Sequence, residues 1–341
     1  MIFFRVDSNK NIASGHIMRC MSIAQAFQDM GLEVTFIVAD NNPVLMLDQK
    51  GVKYIVLHSC WDNLMSEVNL VQEILKPYVK PLLIIDTYQV CRDYIESLEQ
   101  YAKICYLGSK LENLGPLSAL INYSTNIDYE FYKKNYQSST KLLLGPKYAP
   151  LRKEFSQMKH KLRCDDKCRI LLTLGNTNPN CYMEKILYEI IKLNCFQLIE
   201  VKVVIGGMFD NKECLRNKFG KFSNIHFYEN VKLMSELMSE CDLAVSANGT
   251  TVYELAAAKI PTITFAMVDE QYKSAIKLFE LGVVDYCGEI FLTEQLCLKK
   301  IIEKIEWYVL RREEREALAV KSNLIIDGYG CQRIVSTLLS L

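Results

Sequence analysis

The stretch VSANGTTVYELAAAKIPTITFAMVDEQ, residues 245–271, carries the strongest structural signal in this chain. It starts with the end of an apolar strand and continues into a turn of small residues at 246–249. A helix is predicted at about 250–259 and a second apolar strand at 262–267, after which a polar turn carries residues 269–271. A strand, a helix and a strand in this order predict a βαβ unit in a parallel sheet.

The turn at 246–249 has the chemistry of an anion site. Gly249 lacks a Cβ, so the backbone can approach a ligand closely. Thr250 and Thr251 stand at the predicted helix start, where free N–H groups suit an anion such as a diphosphate. Glu254 is near enough to reach neighbouring ribose hydroxyls. The alternative is an ordinary βαβ corner; a Walker P-loop is excluded, because no Gly-Lys-Ser/Thr sequence ends the turn.

The first half of the chain repeats this alternation. A strand at 2–6, a polar loop, a helix ended by Gly31 and a strand at 33–39 form another βαβ unit. Further strands are predicted at 51–57, 82–86, 102–108 and 119–122. Short apolar strands that alternate with helices predict an α/β fold with a parallel sheet covered on both faces. Asp7, Asp86 and Asn122 each follow a strand, at the sheet edge where such folds bind ligands.

The second half restarts the pattern after a break. The segment LLLGPKYAPLRKEF at 142–155 and the charged residues up to 167 are predicted to cross between two domains. The later elements are predicted to be a strand followed by a polar turn at 168–180, strands at 198–207 and 225–231, helices at 182–192 and 232–240, and helical structure from about 293. We therefore predict an N-terminal Rossmann-like domain at 1–150, a C-terminal one at 151–305, and a helical tail at 306–341, whose packing the sequence leaves open.

Length and composition agree with two ordinary domains. A chain of 341 residues is too long for one compact core. Its 40 basic and 40 acidic residues balance, which argues against a nucleic-acid partner. The start of the chain lacks the pattern of a secretory signal, and no apolar run reaches the roughly 18 residues of a membrane helix, so we expect a cytoplasmic protein without membrane insertion.

The cysteines predict buried thiols rather than a metal site. Thirteen are scattered along the chain, and most, such as Cys20, Cys105 and Cys241, fall in helix or strand patterns. Cys164 and Cys168 are the closest pair, and no matching Cys or His pair follows at zinc spacing. We predict no metal and no cofactor.

The segment Ser14-Gly15-His16, with Arg19 one turn on, is the candidate for acid–base chemistry. His16 stands at a helix start after the first strand, where the helix dipole disfavours the charged imidazole and keeps it available as a base. The alternative is a histidine that caps its own helix. His58, His160 and His226 lack such a turn and are predicted to be structural or exposed.

Two stretches resemble known enzymes. The residues at 245–271 resemble the donor-nucleotide half of the MurG-like GT-B enzymes. FRVDSNKNIASGHIMRCMSIAQAF at 4–27 is similar to the signature of the UDP-sugar hydrolases of the pseudaminic-acid pathway and of their spore-coat polysaccharide relatives: Arg-x-Asp, a polar loop and Gly-His-x-x-Arg. Further matches are IIDTYQ at 84–89, LGPKYAPLRKEF at 144–155 and TLGNTNPN at 173–180. The resemblance covers nearly the whole chain up to about residue 290. Thr87 and Asn176 depart from it, since His and Gly are common there.

The resemblance implies a GT-B fold, in which two Rossmann-like domains face each other across a cleft. It implies that His16 is the general base and that water attacks the anomeric carbon of a UDP-linked 2,4-diacetamido-2,4,6-trideoxy sugar, with C–O cleavage and inversion. The residues implied on the sugar side are Asp7, Ser14, Gly15, Arg19, Asp86, Tyr88 and Asn122. Those implied on the UDP side are Gly175, Gly206, Val231 through its backbone, Ser246, Gly249, Thr250, Thr251, Glu254 and Gln271.

Two other functions stay open at this point. A MurG-like glycosyltransferase would use His16 to activate an acceptor hydroxyl instead of water. The mixed charge of residues 58–80, where such enzymes tend to carry an apolar and basic patch, favours the hydrolase. A nucleotide-sugar-binding protein without catalysis is the third possibility, against which the intact Gly-His turn argues. The sequence makes no prediction of the oligomeric state.

Overall fold

The structure is a computed structural model that describes residues 1–10, 12, 14–156, 158 and 166–341. His160 and Cys164, named above, lie outside the described residues. The chain divides into two compact units, one formed by Met1–Lys153 with Tyr329–Leu341 and the other by Glu154–Gly328. Each unit is built on one parallel sheet with helices.

The sheet of the first unit has the strand order β3-β2-β1-β4-β5-β6-β7. Its strands are β1 (Ile2–Val6), β2 (Val34–Val38), β3 (Lys53–Val56), β4 (Leu82–Asp86), β5 (Lys103–Leu107), β6 (Ala119–Asn122) and β7 (Lys141–Leu144). All adjacent strands are parallel, and β1 and β4 are buried along their whole length. This burial explains why these strands are continuous apolar runs instead of alternating with polar residues.

Helices cover this sheet. They are α1 (Gly15–Gln28), α2 (Val44–Gln49), α3 (Val68–Leu75), α4 (Arg92–Leu98), α5 (Tyr129–Asn135) and α13 (Gly330–Leu339). In α1 the buried residues Ile17, Cys20, Ile23, Ala24 and Phe27 recur at helical spacing, and Gly31 follows its end with a φ of +77°. The C-terminal α13 packs against α1 and adds Ile334, Val335 and Leu338 to the same core, so the chain ends inside the first unit.

The second unit has the equivalent strand order β10-β9-β8-β11-β12-β13, again all parallel. Its strands are β8 (Cys168–Thr173), β9 (Ile199–Ile205), β10 (Ile225–Glu229), β11 (Leu243–Ala247), β12 (Thr262–Ala266) and β13 (Asp285–Glu289). Its helices are α6 (Tyr182–Ile190), α7 (Lys212–Phe219), α8 (Met234–Met238), α9 (Thr251–Ala257), α10 (Asp269–Glu280), α11 (Glu294–Leu310) and α12 (Arg312–Ile325).

The strand order positions the candidate sites. In the first sheet the order reverses between β1 and β4, where Val6 pairs with Asp86. In the second sheet it reverses between β8 and β11, where Thr173 pairs with Ser246. The loops on either side of such a reversal run in opposite directions and leave a crevice at the carboxyl ends of the strands, where ligands bind.

The predicted α/β fold with two parallel Rossmann-like sheets is confirmed, as are the helical structure from about residue 293 and the buried Cys20, Cys105 and Cys241. Two strands, β7 and β13, were missed; both are edge strands, and their mixed burial weakens the apolar pattern. The prediction of a polar turn at 269–271 is wrong, because these residues form the first turn of α10, where acidic side chains stabilise a helix start.

The compact units divide the chain differently from the three predicted segments. The first unit extends to Lys153 and takes back the last residues from Tyr329, whereas α12 belongs to the second unit. The helices at 306–341 are therefore divided between the two compact units. Each of these helices belongs to the unit against which it packs, because a helix buries its apolar side against the nearest sheet or helix layer.

Candidate active site

A histidine–carboxylate pair lies at the reversal point of the first sheet. His16 is the second residue of α1 and is 7% exposed, while Asp86 ends β4 and is 1% exposed. The His16 Nδ1 atom lies 2.5 Å from Asp86 Oδ1. Because Asp86 pairs with Val6 at the end of β1, the sheet register itself brings the carboxylate beside the loop that leads to α1.

Arg19 completes this group, which we call the His16–Asp86–Arg19 cluster. Its Nε donates to Asp86 Oδ2 at 2.6 Å and its Nη2 donates to Asp86 Oδ1 at 2.5 Å. Burial by itself raises the pKa of Asp86, but the positive charge of Arg19 and the hydrogen bonds from Arg19 and His16 outweigh burial and hold that pKa below its ordinary value. Asp86 is therefore a carboxylate at neutral pH.

The charged carboxylate determines the tautomer of His16. Arg19 Nη2 also lies 3.1 Å from His16 Nδ1, but arginine has only donors and already donates to Asp86. A carboxylate is a strong acceptor, so in the neutral imidazole the proton lies on Nδ1 and is donated to Asp86. The lone pair is then on Nε2, which is the form required of a general base.

The surroundings of the cluster combine buried and exposed groups. The Cys20 thiol donates to Asp86 Oδ2 at 3.4 Å, and burial raises its pKa well above the ordinary value, so it is a neutral donor. The Tyr88 ring packs edge-on against His16 with centroids 4.7 Å apart and is 58% exposed. Ser14 and Gly15 are exposed at the start of α1, and the Ser14 side chain makes no cap hydrogen bond. Tyr88 thus contacts the His16 ring, and Ser14 and Gly15 directly precede His16 in the chain.

Two of the predicted sugar-side residues make internal contacts instead. Asp7 accepts hydrogen bonds from Arg5 Nη1 at 2.5 Å and from the Ala39 backbone at 2.7 Å, which engages both carboxylate oxygens. The Asn122 side chain donates to the Tyr132 hydroxyl at 3.1 Å and accepts from the Ser124 backbone at 3.0 Å. Both side chains are buried at strand ends, and in this structure they hold turns together.

Asp7 belongs to a buried ionic cluster that the sequence did not predict. Arg5 is fully buried and donates to Glu67 through Nε at 2.5 Å and Nη2 at 2.8 Å. Glu67 also accepts from the hydroxyls of Ser59 and Tyr94, both at 2.9 Å. Buried charges need partners of this kind, and the sequence signal for them was an arginine within the apolar strand β1.

The first predicted UDP-side turns follow β8 and β9. Gly175 has a φ of +83°, which favours glycine, and a Cβ on Gly206 would lie 2.4 Å from the Gly175 carbonyl oxygen. Asn176 ties the two turns together, since its Oδ1 accepts from the Gly207 backbone at 3.0 Å and its carbonyl accepts from Met208 at 3.0 Å. The departure at Asn176 therefore fits a close approach of two backbones. Val231 follows β10 and is half-buried.

The β11–α9 turn lies on the other side of the reversal point. Gly249 and Thr250 are exposed, Thr251 begins α9, and the half-buried Glu254 lies one turn later. The helix is shorter than the predicted 250–259, because Lys259 adopts a φ of +55°. The Ser246 hydroxyl is buried and donates to the Ala247 carbonyl oxygen at 2.9 Å, so its contact is internal.

Gln271 presents a fixed side-chain amide at the neighbouring β12–α10 turn. Its Oε1 accepts from the Met267 backbone N–H at 2.8 Å, and its carbonyl oxygen accepts from Asn248 Nδ2 at 3.0 Å. With Oε1 engaged, Nε2 is the group that Gln271 can offer to a ligand, and a donor suits an acceptor such as a diphosphate oxygen. The sequence marked Asn248 only as a turn former, because no pattern of neighbouring residues predicts its buried contacts.

Across the described residues, no group of three or more His, Cys, Asp or Glu side chains is arranged to hold a metal ion. The chemistry available is a buried Asp–His pair for proton transfer in one unit and, in the other, backbone N–H groups and the Gln271 amide for an anion.

The two Rossmann-like sheets, each with its strand-order reversal, define a protein with the GT-B fold. The crystal structure of MurG from Acinetobacter baumannii aligns with a TM-score of 0.70 at 13% identity, over 99% of both chains. A UDP-GlcNAc 2-epimerase from Neisseria meningitidis, solved with UDP-GlcNAc bound, aligns with a TM-score of 0.69 at 13% identity, over 100% of both chains. At this identity the likeness shows the fold alone.

The sequence is similar to three curated proteins, and no family model matches it. An uncharacterized protein of Methanocaldococcus jannaschii is 25% identical over 75% of this chain and 54% of its own length. The spore coat polysaccharide biosynthesis protein SpsG of Bacillus subtilis is 23% identical over 60% of each. A pseudaminic acid cytidylyltransferase and UDP-2,4-diacetamido-2,4,6-trideoxy-β-L-altropyranose hydrolase of Helicobacter pylori is 23% identical over 79% of this chain and 45% of its length. The chain thus spans about half the length of the curated relatives it matches.

None of the helices in the described ranges is both long and apolar enough to cross a membrane.

Proposed function

We propose that this protein is a nucleotide-sugar enzyme that hydrolyses a UDP-linked 2,4-diacetamido-2,4,6-trideoxy sugar. His16 Nε2 removes a proton from water, the water oxygen forms a bond to the anomeric carbon, and the bond between that carbon and the UDP oxygen breaks. UDP leaves with the bonding electrons and the sugar is released with inverted configuration. The product sugar would be a precursor for a nonulosonic acid such as pseudaminic acid.

The observation that carries this proposal is the hydrogen bond of 2.5 Å between His16 Nδ1 and Asp86 Oδ1. It fixes the tautomer of the neutral imidazole, whose proton lies on Nδ1 and leaves the Nε2 lone pair for the reacting face. The buried Asp86 also stabilises the imidazolium that forms when His16 takes the proton, as carboxylates do in Ser-His-Asp triads. The Helicobacter pylori relative, whose name includes a UDP-sugar hydrolase, supports the choice of reaction.

We propose that the second unit binds UDP. The Gly249 N–H donates to the Ala247 carbonyl oxygen at 2.9 Å, so the backbone N–H groups that this turn offers to the diphosphate are those of Thr250 and Thr251. Glu254 contacts the ribose, and Gln271 Nε2 donates to the diphosphate or the sugar. Preorganised donors of this kind stabilise the charge that builds on the leaving phosphate. Because UDP is a good leaving group, no strong acid is needed beside it.

The test is a panel of UDP-, GDP- and CMP-activated diacetamido sugars, with the released sugar identified by NMR. We expect free sugar and UDP from the UDP donor without any acceptor. In ¹⁸O-labelled water the label should enter the sugar and not UDP. Label in UDP would mean attack at phosphorus and would contradict the mechanism.

A specific observation keeps glycosyl transfer as a second candidate. In the stretch at 58–80 the apolar side chains of Met65, Leu70, Tyr78 and Val79 are 47, 47, 39 and 101% exposed. Exposed apolar side chains in this stretch would suit contact with a lipid-linked acceptor. His16 would then deprotonate an acceptor hydroxyl in the same way. Release of UDP that depends strictly on an added acceptor would establish this reaction in place of hydrolysis.

A further inference from the structure

A buried acceptor without a partner lies next to the β11–α9 turn. Asn248 directly follows β11 and is 5% exposed. Its backbone N–H is satisfied by the Phe265 carbonyl oxygen at 2.9 Å. Its side-chain Oδ1 is buried and, among the residues that the structure describes, has no hydrogen-bond partner. Buried polar atoms are nearly always paired, so this oxygen needs an explanation.

The orientation of the Asn248 amide follows from its other end. Nδ2 donates to the Gln271 carbonyl oxygen at 3.0 Å, and a carbonyl oxygen can only accept. A rotated amide would place two oxygens against each other, so the unpaired atom is the oxygen. Asn248 therefore offers an acceptor, and the group that pairs with it must be a donor.

The chain beside Asn248 leaves room for a ligand. Gly249 and Thr250 are exposed, and a Cβ placed on Gly249 would have nothing within 4 Å. The backbone beside Asn248 is therefore open to an approaching ligand. Through its bond to Gln271, Asn248 also lies between two turns that we propose to contact the nucleotide sugar.

We infer that Asn248 Oδ1 accepts a hydrogen bond from a hydroxyl or an amide N–H of the bound nucleotide sugar. This inference rests on the proposed binding of UDP by the second unit. The diphosphate is not the partner, because its oxygens are acceptors. Of the donors that a UDP-sugar carries, we assign to this contact either a ribose hydroxyl or a hydroxyl or amide group of the sugar, and the experiment separates these two sources.

The experiment measures dissociation constants by calorimetry for UDP, 2′-deoxy-UDP, 3′-deoxy-UDP and UDP-N-acetylglucosamine. If the donor is a ribose hydroxyl, the wild-type protein should bind one deoxy nucleotide about 5- to 100-fold more weakly than UDP. If the donor is on the sugar, the wild-type protein should bind UDP-N-acetylglucosamine more tightly than UDP by a similar factor. In either case Asn248→Ala should bring the ratio of the two dissociation constants close to one, because it removes the acceptor.

Two further variants make the result decisive. Asn248→Asp keeps an oxygen in place of Oδ1 but loses the Nδ2 hydrogen bond to the Gln271 carbonyl. It should therefore weaken the binding of all these nucleotides and still retain the ratio, and it tests the inference should Asn248→Ala fail to fold. Asn224→Ala is the matched control, since Asn224 Nδ2 donates to the carbonyls of Phe196 at 3.2 Å and Ile199 at 2.8 Å in the same unit. It should leave every ratio unchanged.

Ratios that are the same in Asn248→Ala and wild type, or that are lost in Asn248→Asp, would overturn the inference while leaving UDP binding intact. A wild-type protein that binds none of these nucleotides would instead overturn the proposed function, and the inference with it.

Discussion

The substitution Asp86→Asn tests the proposed mechanism most directly. It keeps the size of a side chain that is 1% exposed but removes its negative charge and replaces one oxygen with a donor. An amide N–H directed at His16 Nδ1 would donate to it, which moves the imidazole proton to Nε2 and removes the base. Arg19, which donates twice to Asp86, would also lose its counter-charge.

The expected magnitudes follow from these contacts. Loss of a general base costs about 10²- to 10⁴-fold in rate, and we expect kcat for UDP release to fall within that range. Breaking a buried ion pair costs about 3–5 kcal/mol, so the free energy of unfolding should fall by an amount up to this range. UDP affinity should be unchanged, because the proposed nucleotide contacts belong to the second unit.

The pH dependence of unfolding gives a second measurement on the same variant. The pKa of Asp86 is lower in the folded protein than its ordinary value, so its stabilising effect is present above the unfolded pKa of about 3.9 and is lost as the pH falls through the folded pKa. The stability difference between wild type and Asp86→Asn should therefore be full at pH 7 and should shrink below about pH 4. A difference that grew on acidification would contradict this assignment of charge.

The assay that decides the role of Asp86 is a double-mutant cycle with His16→Ala. If the two residues act as a unit, the double variant should be no slower than His16→Ala alone. A rate lowered by the product of the two single effects would show that Asp86 does not act through His16. An Asp86→Asn variant within tenfold of the wild-type kcat would refute the proposed role of the pair.

Three further predictions concern single contacts. His16→Ala should lower kcat by about 10²- to 10⁴-fold and leave UDP affinity intact in calorimetry; loss of both would mean that His16 is structural. Glu67→Gln weakens the pairing with buried Arg5 and should lower the free energy of unfolding, measured in urea, by about 3–5 kcal/mol. Its control is Glu33→Gln, at an exposed pair with Lys53, which should change that free energy by no more than about 0.5 kcal/mol. Gly206→Ala places a Cβ 2.4 Å from a backbone oxygen and should lower Tm, while Gly249→Ala meets nothing within 4 Å and should keep Tm but weaken UDP binding; equal Tm losses would contradict this difference.

Much of the local structure could be predicted from the sequence. The apolar runs of β1, β4 and β11 identify strands because each is buried on both faces, and Gly31 identifies the end of α1. The edge strand β13 lacked this signal, since it pairs on one side only and is partly exposed. Residues 269–271 were polar enough to resemble a turn, and only the full length of α10 shows them to be a helix start.

The candidate site likewise combines residues that local sequence patterns mark and residues that only the tertiary structure brings together. His16, Arg19 and the glycine turns are marked by short-range patterns, which is why the sequence alone names them as candidates. The partner of His16 is 70 residues away, and that of Arg5 is 62 residues away. Such pairs depend on which strands become neighbours, a property of the strand order and not of any local segment. The tertiary structure therefore decided that Asp86 orients His16, that Asp7 and Asn122 hold turns, and that Asn248 keeps a buried oxygen unpaired, because burial and hydrogen bonding are set by distant parts of the chain.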